Sequence, residues 1–267
     1  MKKWKLTYEL SLSFSSPVSR EHYSLRCIPD RFENQEVTSC QVQILPENAV
    51  MYGKDAFGNT VLAGSVERPH SCFSVDVEAR VRTQAGTREE KKPFHQLGMY
   101  RYESEMTRVG QALEAFIRTL PPGQGKSPWE RSRDLMYILW DSFRYLRGST
   151  GVDTTAEQAF MQGCGVCQDY AHILLALCRR EGMTARYVAG AIPGEGQTHA
   201  WVEVWQEGSW KGFDPTNRQE TDEDYICFAV GRDAHDCGLN RGIFLGNALQ
   251  TQNVYVRMEE IRGGNGD

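Results

Sequence analysis

Cys167, His199 and Asp214 are the side chains in this chain whose types and spacing could carry covalent chemistry. Cys167 lies in Gly163-Cys164-Gly165-Val166-Cys167-Gln168-Asp169-Tyr170-Ala171-His172, between a glycine-rich turn and the apolar run Ile173-Leu174-Leu175-Ala176-Leu177-Cys178. Ala171, Leu174, Leu175 and Cys178 recur at the spacing of one helix face. Gly182 reads as the residue just past the helix end, with Arg179 and Arg180 in the last turn. Cys167 is therefore expected at or next to a helix N-terminus, where unpaired N–H groups and the positive end of the macrodipole favour a thiolate.

A thiolate needs a base and a group to orient that base. Thr198-His199-Ala200-Trp201-Val202-Glu203-Val204-Trp205 and Trp210-Lys211-Gly212-Phe213-Asp214 read as two strands joined by Gln206-Glu207-Gly208-Ser209. If Glu207-Gly208 makes a tight two-residue turn, Trp205 faces Trp210 and Trp201 faces Asp214. His199 then shares a face with Asp214 as a diagonal neighbour, within reach of side-chain contact. A slip of one residue would send Asp214 to the other face. In this arrangement Cys167 is the nucleophile, and His199 takes its proton and later returns one to the leaving amine. Asp214 fixes the imidazole tautomer. The backbone N–H of Cys167 is one oxyanion donor.

Other readings of the same residues stand beside this one. Cys178 and His172 read as core residues, and Trp201, Trp205 and Trp210 as cross-strand packing. Cys164-x-x-Cys167 is also the spacing of a dithiol redox motif and of a zinc half-site, for which Cys227, His235 and Cys237 could complete the ligands. A redox motif expects a buried strand leading into it, whereas Gln158-Ala159-Phe160-Met161-Gln162-Gly163 is short and mixed.

The elements that must position these residues follow from pattern. Thr7–Phe14, Ser39–Leu45 and Ser71–Val81 alternate at period two, so residues 1–86 are expected to form a mostly-β domain that is structural or shapes the substrate site. The polar stretch Gly86 to Pro93 is the expected boundary, and 94–262 the catalytic domain. Within it, helices are expected over about 100–119, with Val109, Leu113, Phe116 and Ile117 on one face, and from the capping box Ser127-Pro128-Trp129-Glu130 to about Arg147. The second helix turns Leu135, Ile138, Leu139 and Leu146 inward. Thr154 or Thr155 is expected to cap a short helix before Gly163, and Gly263–Asp267 to fray. Helices first and an antiparallel sheet after them make the fold α+β.

The 267 residues, 40% apolar and 24% charged with net charge −5, suit an ordinary globular chain. They give no electrostatic footprint for nucleic acid or an anionic membrane. No apolar run reaches the roughly 18 residues of a membrane helix, and no apolar signal core follows the basic N-terminus. The expected location is cytoplasmic, with the eight cysteines as reduced thiols.

On several motifs the chain resembles the bacterial transglutaminase-like cysteine hydrolases. These are Gly165-Val166-Cys167-Gln168-Asp169-Tyr170-Ala171-His172, Ala185-Arg186-Tyr187-Val188, Thr198-His199-Ala200-Trp201-Val202-Glu203-Val204, Gly212-Phe213-Asp214-Pro215-Thr216-Asn217 and Val230-Gly231-Arg232-Asp233. The segments Tyr23–Pro29 and Asp55–Asn59 resemble the β domain that often precedes this core. The resemblance implies a papain-like α+β core with Cys167, His199 and Asp214 as triad. It also implies thiol acyl chemistry on a peptide or protein amide, with no cofactor and no metal. Where the family often continues Ser-Gly-Tyr, this chain has Ala189-Gly190-Ala191, which removes an aromatic expected near the cleft. The expected activity is amide hydrolysis through a Cys167 thioester. Acyl transfer to an amine, a non-catalytic binding module on the same scaffold, and a Cys164/Cys167 dithiol protein are the alternatives.

Overall fold

The structure, a computed structural model, describes residues 1–90, 92 and 94–261; the tail Gly263–Asp267 lies outside the described residues. Trp4, Leu6, Tyr8, Leu10, Leu12 and Phe14 are buried while the residues between them face outward or sideways, so the N-terminus is a strand with one core face. The alternation carries β1 from Lys2 to Leu25, well beyond the expected Thr7–Phe14. Four more strands follow: β2 (Gln35–Leu45), β3 (Val50–Lys54), β4 (Thr60–Val66) and β5 (His70–Thr83).

Next come β6 (Arg88–Glu89), a 3-10 turn (Phe94–Tyr100), α1 (Gln111–Ile117), α2 (Pro128–Ser142), β7 (Arg144–Tyr145), α3 (Ala156–Gln162), β8 (Cys164–Gly165) and α4 (Cys167–Arg180). The chain ends in β9 (Ala185–Ala191), β10 (Gly194–Gly196), β11 (His199–Gln206), β12 (Ser209–Asp214), β13 (Gln219–Glu220), β14 (Ile226–Gly231), β15 (Asn240–Leu245) and β16 (Gln250–Glu260). The fold is α+β, as expected.

Two helix expectations need correction. The helix over 100–119 shortens to α1, because Ser104 and Thr107 close their own turn through backbone and hydroxyl hydrogen bonds. The start of α1 is instead capped across the fold: the Glu157 carboxylate accepts the N–H groups of Gly110, Ala112 and Leu113 at 2.7–3.1 Å. The Ser127/Glu130 capping box opens α2 as expected, but the helix stops at Ser142, not Arg147. Phe143 turns extended, Arg144 and Tyr145 pair in parallel with Cys164 and Gly165, and Leu146 is exposed instead of inward. Thr155 is the residue that caps α3, with Gln158 completing its capping box.

The long strand β1 runs through an eight-stranded sheet and changes partners along its length. Its first half pairs with β5 and β16, and its second half with β4 and β15, with register shifts between. The two last strands of the chain thus return to the N-terminal sheet. The expected unit 94–262 does not close on itself, since Val256 and Met258 pack in the same core as Leu6, Tyr8 and Val77.

The second sheet has the order β13-β12-β11-β9-β14, all antiparallel. Alternation divides its faces. Ala185, Tyr187, Ala189, Ala200, Val202, Val204 and Phe213 pack with α4, whose residues from Asp169 to Arg179 are all buried. Val188, Trp201, Tyr225 and Cys227 line the opposite face with Phe32 of the N-terminal region. On that face Glu203 pairs with Arg186 at 2.7 Å and with Arg88 at 3.3 Å, so β6 is held to the sheet by charge as well as by backbone.

Candidate active site

Cys167 is the first residue of α4, and the extended Val166 before it sets the helix entry. Val166 has no side-chain oxygen, so a carboxylate one turn on helps to fix that entry. Asp169 Oδ2 accepts the Val166 N–H at 2.7 Å and the Thr150 hydroxyl at 2.6 Å. Asp169 is fully buried, and burial pushes its carboxyl up while these two hydrogen bonds pull it down. A side chain at position 165 would meet Asp169 Oδ2 at 2.5 Å, which explains the glycine of the motif. As the first helical residue Cys167 has no intrahelical carbonyl for its N–H, leaving a donor beside its own sulfur.

The β11–β12 hairpin has the register expected from its turn. Trp205 pairs with Trp210 and Val202 with Phe213, with Glu207 and Gly208 at positive φ between the strands. His199 Nε2 lies 2.7 Å from Asp214 Oδ2, and the Cys167 side chain is near enough to the imidazole to favour its charged form. With Nε2 taken by Asp214, Nδ1 is the nitrogen left for the thiol. His199 starts on the sheet face opposite α4, with Trp201. As the first residue of β11 it sits at the sheet end, where it can meet a helix tip from the other face. Burial opposes charge on His199, but Asp214 and then Cys167, through hydrogen bonds and charge, raise it from 6.5 to about 10. Asp214 is itself buried, which disfavours its charge, yet His199, Tyr225 and Asn217 together hold it below its ordinary value.

Several residues of the site escaped the sequence reading. Tyr225 donates its hydroxyl to Asp214 Oδ2 at 2.8 Å and accepts from Gln219 Nε2 at 2.8 Å. Asn217 donates to the same carboxylate oxygen at 2.7 Å, and the N–H groups of Thr216 and Asn217 reach Oδ1 at 3.0 and 3.1 Å. The Asp-Pro-Thr-Asn turn was a legible signal for the last three; Tyr225 had none. Gly190 pairs with His199 across the strands, and a Cβ there would meet the Ile226 carbonyl at 2.0 Å and the Trp201 ring at 2.5 Å. Ala191, expected near the cleft, is instead buried in the core shared by the sheet and the N-terminal strands, beside Ile226 and Phe228.

The remaining candidates do not join Cys167, His199 and Asp214. His172 is buried, its Nε2 accepts the Ala234 N–H at 3.1 Å, and burial pushes it down to about 3. Cys178 is buried among apolar residues. Cys164 is buried and unpaired on β8. Among the described residues no three His, Cys, Asp or Glu side chains gather as a metal would require, so Cys227, His235 and Cys237 do not assemble with Cys164 and Cys167. A cavity of about 570 Å³ opens between Phe94, Arg131, Glu181 and Trp205, and none of Cys167, His199 and Asp214 lines it.

Residues 120–215 match the Transglutaminase-like superfamily, and residues 4–82 the Bacterial transglutaminase-like N-terminal region. An uncharacterized protein of Mycobacterium leprae is 27% identical over 98% of this chain and 100% of its own length. A protein-glutamine gamma-glutamyltransferase of Pseudomonas aeruginosa is 36% identical over 81 residues, which are 26% of this chain and 12% of that protein. A crystal structure from Cytophaga hutchinsonii, provisionally named a cysteine protease, superposes with a TM-score of 0.81 at 22% identity, covering 98% of this chain and 91% of that one. It has the same fold.

Proposed function

We propose, from the match of residues 120–215 to the Transglutaminase-like superfamily and of residues 4–82 to the Bacterial transglutaminase-like N-terminal region, that this chain is a thiol-dependent amide hydrolase acting through Cys167. One observation carries the proposal: a single buried imidazole is hydrogen-bonded to the Asp214 carboxylate at 2.7 Å and lies within electrostatic reach of Cys167. That arrangement favours an imidazolium beside a thiolate. The thiolate attacks the amide carbon, forming a C–S bond while the carbonyl π electrons move to oxygen. The Cys167 N–H is placed to receive that oxyanion. Collapse breaks the C–N bond, His199 gives its proton to the departing amine, and a thioester remains. His199 then takes a proton from water, whose oxygen attacks the thioester. The C–S bond breaks, and a carboxylic acid leaves the thiolate behind. Asp214 stays ionised throughout, holding the ring and its charge. The eight free cysteines suit a reducing, cytoplasmic setting.

The name of the Pseudomonas relative favours a second acceptor, an amine in place of water. Incubating the protein with glutamine-containing peptides, with and without a primary amine, separates the two by mass spectrometry. A mass adduct on Cys167 with acid product supports hydrolysis, and stable amide adducts support transfer. Turnover that survives in Cys167→Ala would overturn both.

A further inference from the structure

Aromatic rings and arginines gather at the last turns of α2 and at the turn after Asp214. Helix α2 runs antiparallel to α4. Ser132 lies against Cys178 near the end of α4, whereas the Tyr170 hydroxyl near its start donates to the Phe143 carbonyl at 2.6 Å. The last turn of α2 therefore flanks the helix tip that carries Cys167. The chain then continues past that tip: Arg144 and Tyr145 pair with Cys164 and Gly165, and Leu146 N–H donates to the Gly165 carbonyl at 2.8 Å.

From the other side comes the turn after Asp214. Asn217 is tied to the Asp214 carboxylate, and Arg218 follows in a left-handed conformation with φ 58. Its guanidinium lies 5.1 Å from the Tyr137 ring centre and 4.9 Å from that of Trp140, both on the outer face of α2. Stacking on aromatic faces fixes a guanidinium in orientation and leaves its edge donors free. Asp141 stands 3.9 Å away, too far for a charge-assisted hydrogen bond, and the Arg218 side chain is 45% exposed. Arg144 and Arg147 are also exposed and have no ion-pair partner among the described residues. Trp140 and Tyr145 are 42% and 47% exposed. A chain of net charge −5 thus keeps three arginines and a set of open rings on the segments that flank the helix start carrying its candidate nucleophile.

We propose that this cluster is a subsite for acidic side chains of the substrate, with Arg218 as the specificity-determining residue. Arg218 takes a carboxylate through its free edge, Tyr137 and Trp140 hold it in place, and Arg144 and Arg147 add attraction nearby. The occupant is an acidic peptide, chosen by charge complementarity. The proposal rests on the reading of Cys167 as nucleophile, and its test avoids turnover so that the two can fail separately.

The test uses full-length Cys167→Ala protein and two fluorescein-labelled peptides built around one glutamine, with flanking glutamates in the first and glutamines in their place in the second. Fluorescence anisotropy is read at low and at roughly physiological salt. The acidic peptide should bind about tenfold more tightly at low salt and lose most of that advantage on screening. Arg218→Gln should bring the two peptides within about twofold, and Arg218→Lys should restore only part of the difference, because it keeps the charge without the planar fork. Equal affinities for the two peptides would overturn the proposal, as would no binding of either. So would an acid preference that survives Arg144→Gln, Arg147→Gln and Arg218→Gln combined.

Discussion

Replacing Asp214 with asparagine keeps the shape of the side chain and removes its charge. In the structure this carboxylate is fully buried and takes five hydrogen bonds, from His199, Tyr225, Thr216 N–H and both nitrogens of Asn217. The rise of His199 from 6.5 to about 10 is worth on the order of 5 kcal/mol in favour of the imidazolium, at about 1.4 kcal/mol per pH unit. Asp214 and Cys167 supply it together against burial. If Asp214 provides half, Asp214→Asn removes roughly 2–3 kcal/mol, and the population of the thiolate–imidazolium pair falls roughly 50-fold. The assay is the rate of Cys167 alkylation by iodoacetamide, a neutral reagent, at pH 7, with the site confirmed by peptide mass mapping. Asp214→Asn should react roughly 50-fold more slowly than wild type. Tyr225→Phe, which removes one donor and keeps the charge, should fall between, within about tenfold of wild type. A rate unchanged in Asp214→Asn would refute the electrostatic argument. A rate unchanged in His199→Ala as well would remove the proposed Cys167–His199 pair altogether.

Further tests address stability and local structure. Since His199 titrates higher in the folded chain than its ordinary 6.5, its stabilisation is complete below that value and is lost as pH rises through about 10. The urea-midpoint gap between wild type and His199→Ala should therefore narrow toward alkaline pH. Asp214 and Glu203 are held low, so their contribution is present above the ordinary carboxylate range and is lost on acidification; urea midpoints should fall as the pH drops through that range. Gly190→Ala drives a methyl into the Ile226 carbonyl and the Trp201 ring, and should cost about 1–3 kcal/mol or more in unfolding experiments. Glu157→Ala uncaps α1 and should cost about 1–2 kcal/mol, with faster amide exchange at Ala112 and Leu113 as its local signature.

The legible parts of the fold were those governed by short-range rules. The start of α4 at Cys167 followed from helix periodicity and the flanking glycines, and the α2 capping box from Ser127-Pro128-Trp129-Glu130. The His199–Asp214 pairing followed from strand alternation and a two-residue turn, which together allow one register. In most of the misreadings a distant segment decided the outcome. The helix expected from about residue 100 starts only at Gln111, because Ser104 and Thr107 close a local turn and Glu157, more than forty residues on, caps the start of α1. Leu146 matches the α2 periodicity, but its backbone is taken by Gly165. Ala191 follows an active-site motif in sequence, and strand β14 with the N-terminal core encloses it.

By itself the sequence determined which residue types could react, and the helix and hairpin on which they ride. Those depend on local periodicity, turn chemistry and capping, all of which act within a few residues. Only the tertiary structure decided that His199, at the end of its strand, reaches a helix packed on the opposite sheet face. It also decided that Tyr225 completes the shell around Asp214, and that the last strands of the chain return to pair with the first. Arg218 came to rest on Tyr137 and Trp140 in the same way. These are contacts between residues far apart in the chain. They follow from how layers pack and where a strand runs out, and no local pattern records that.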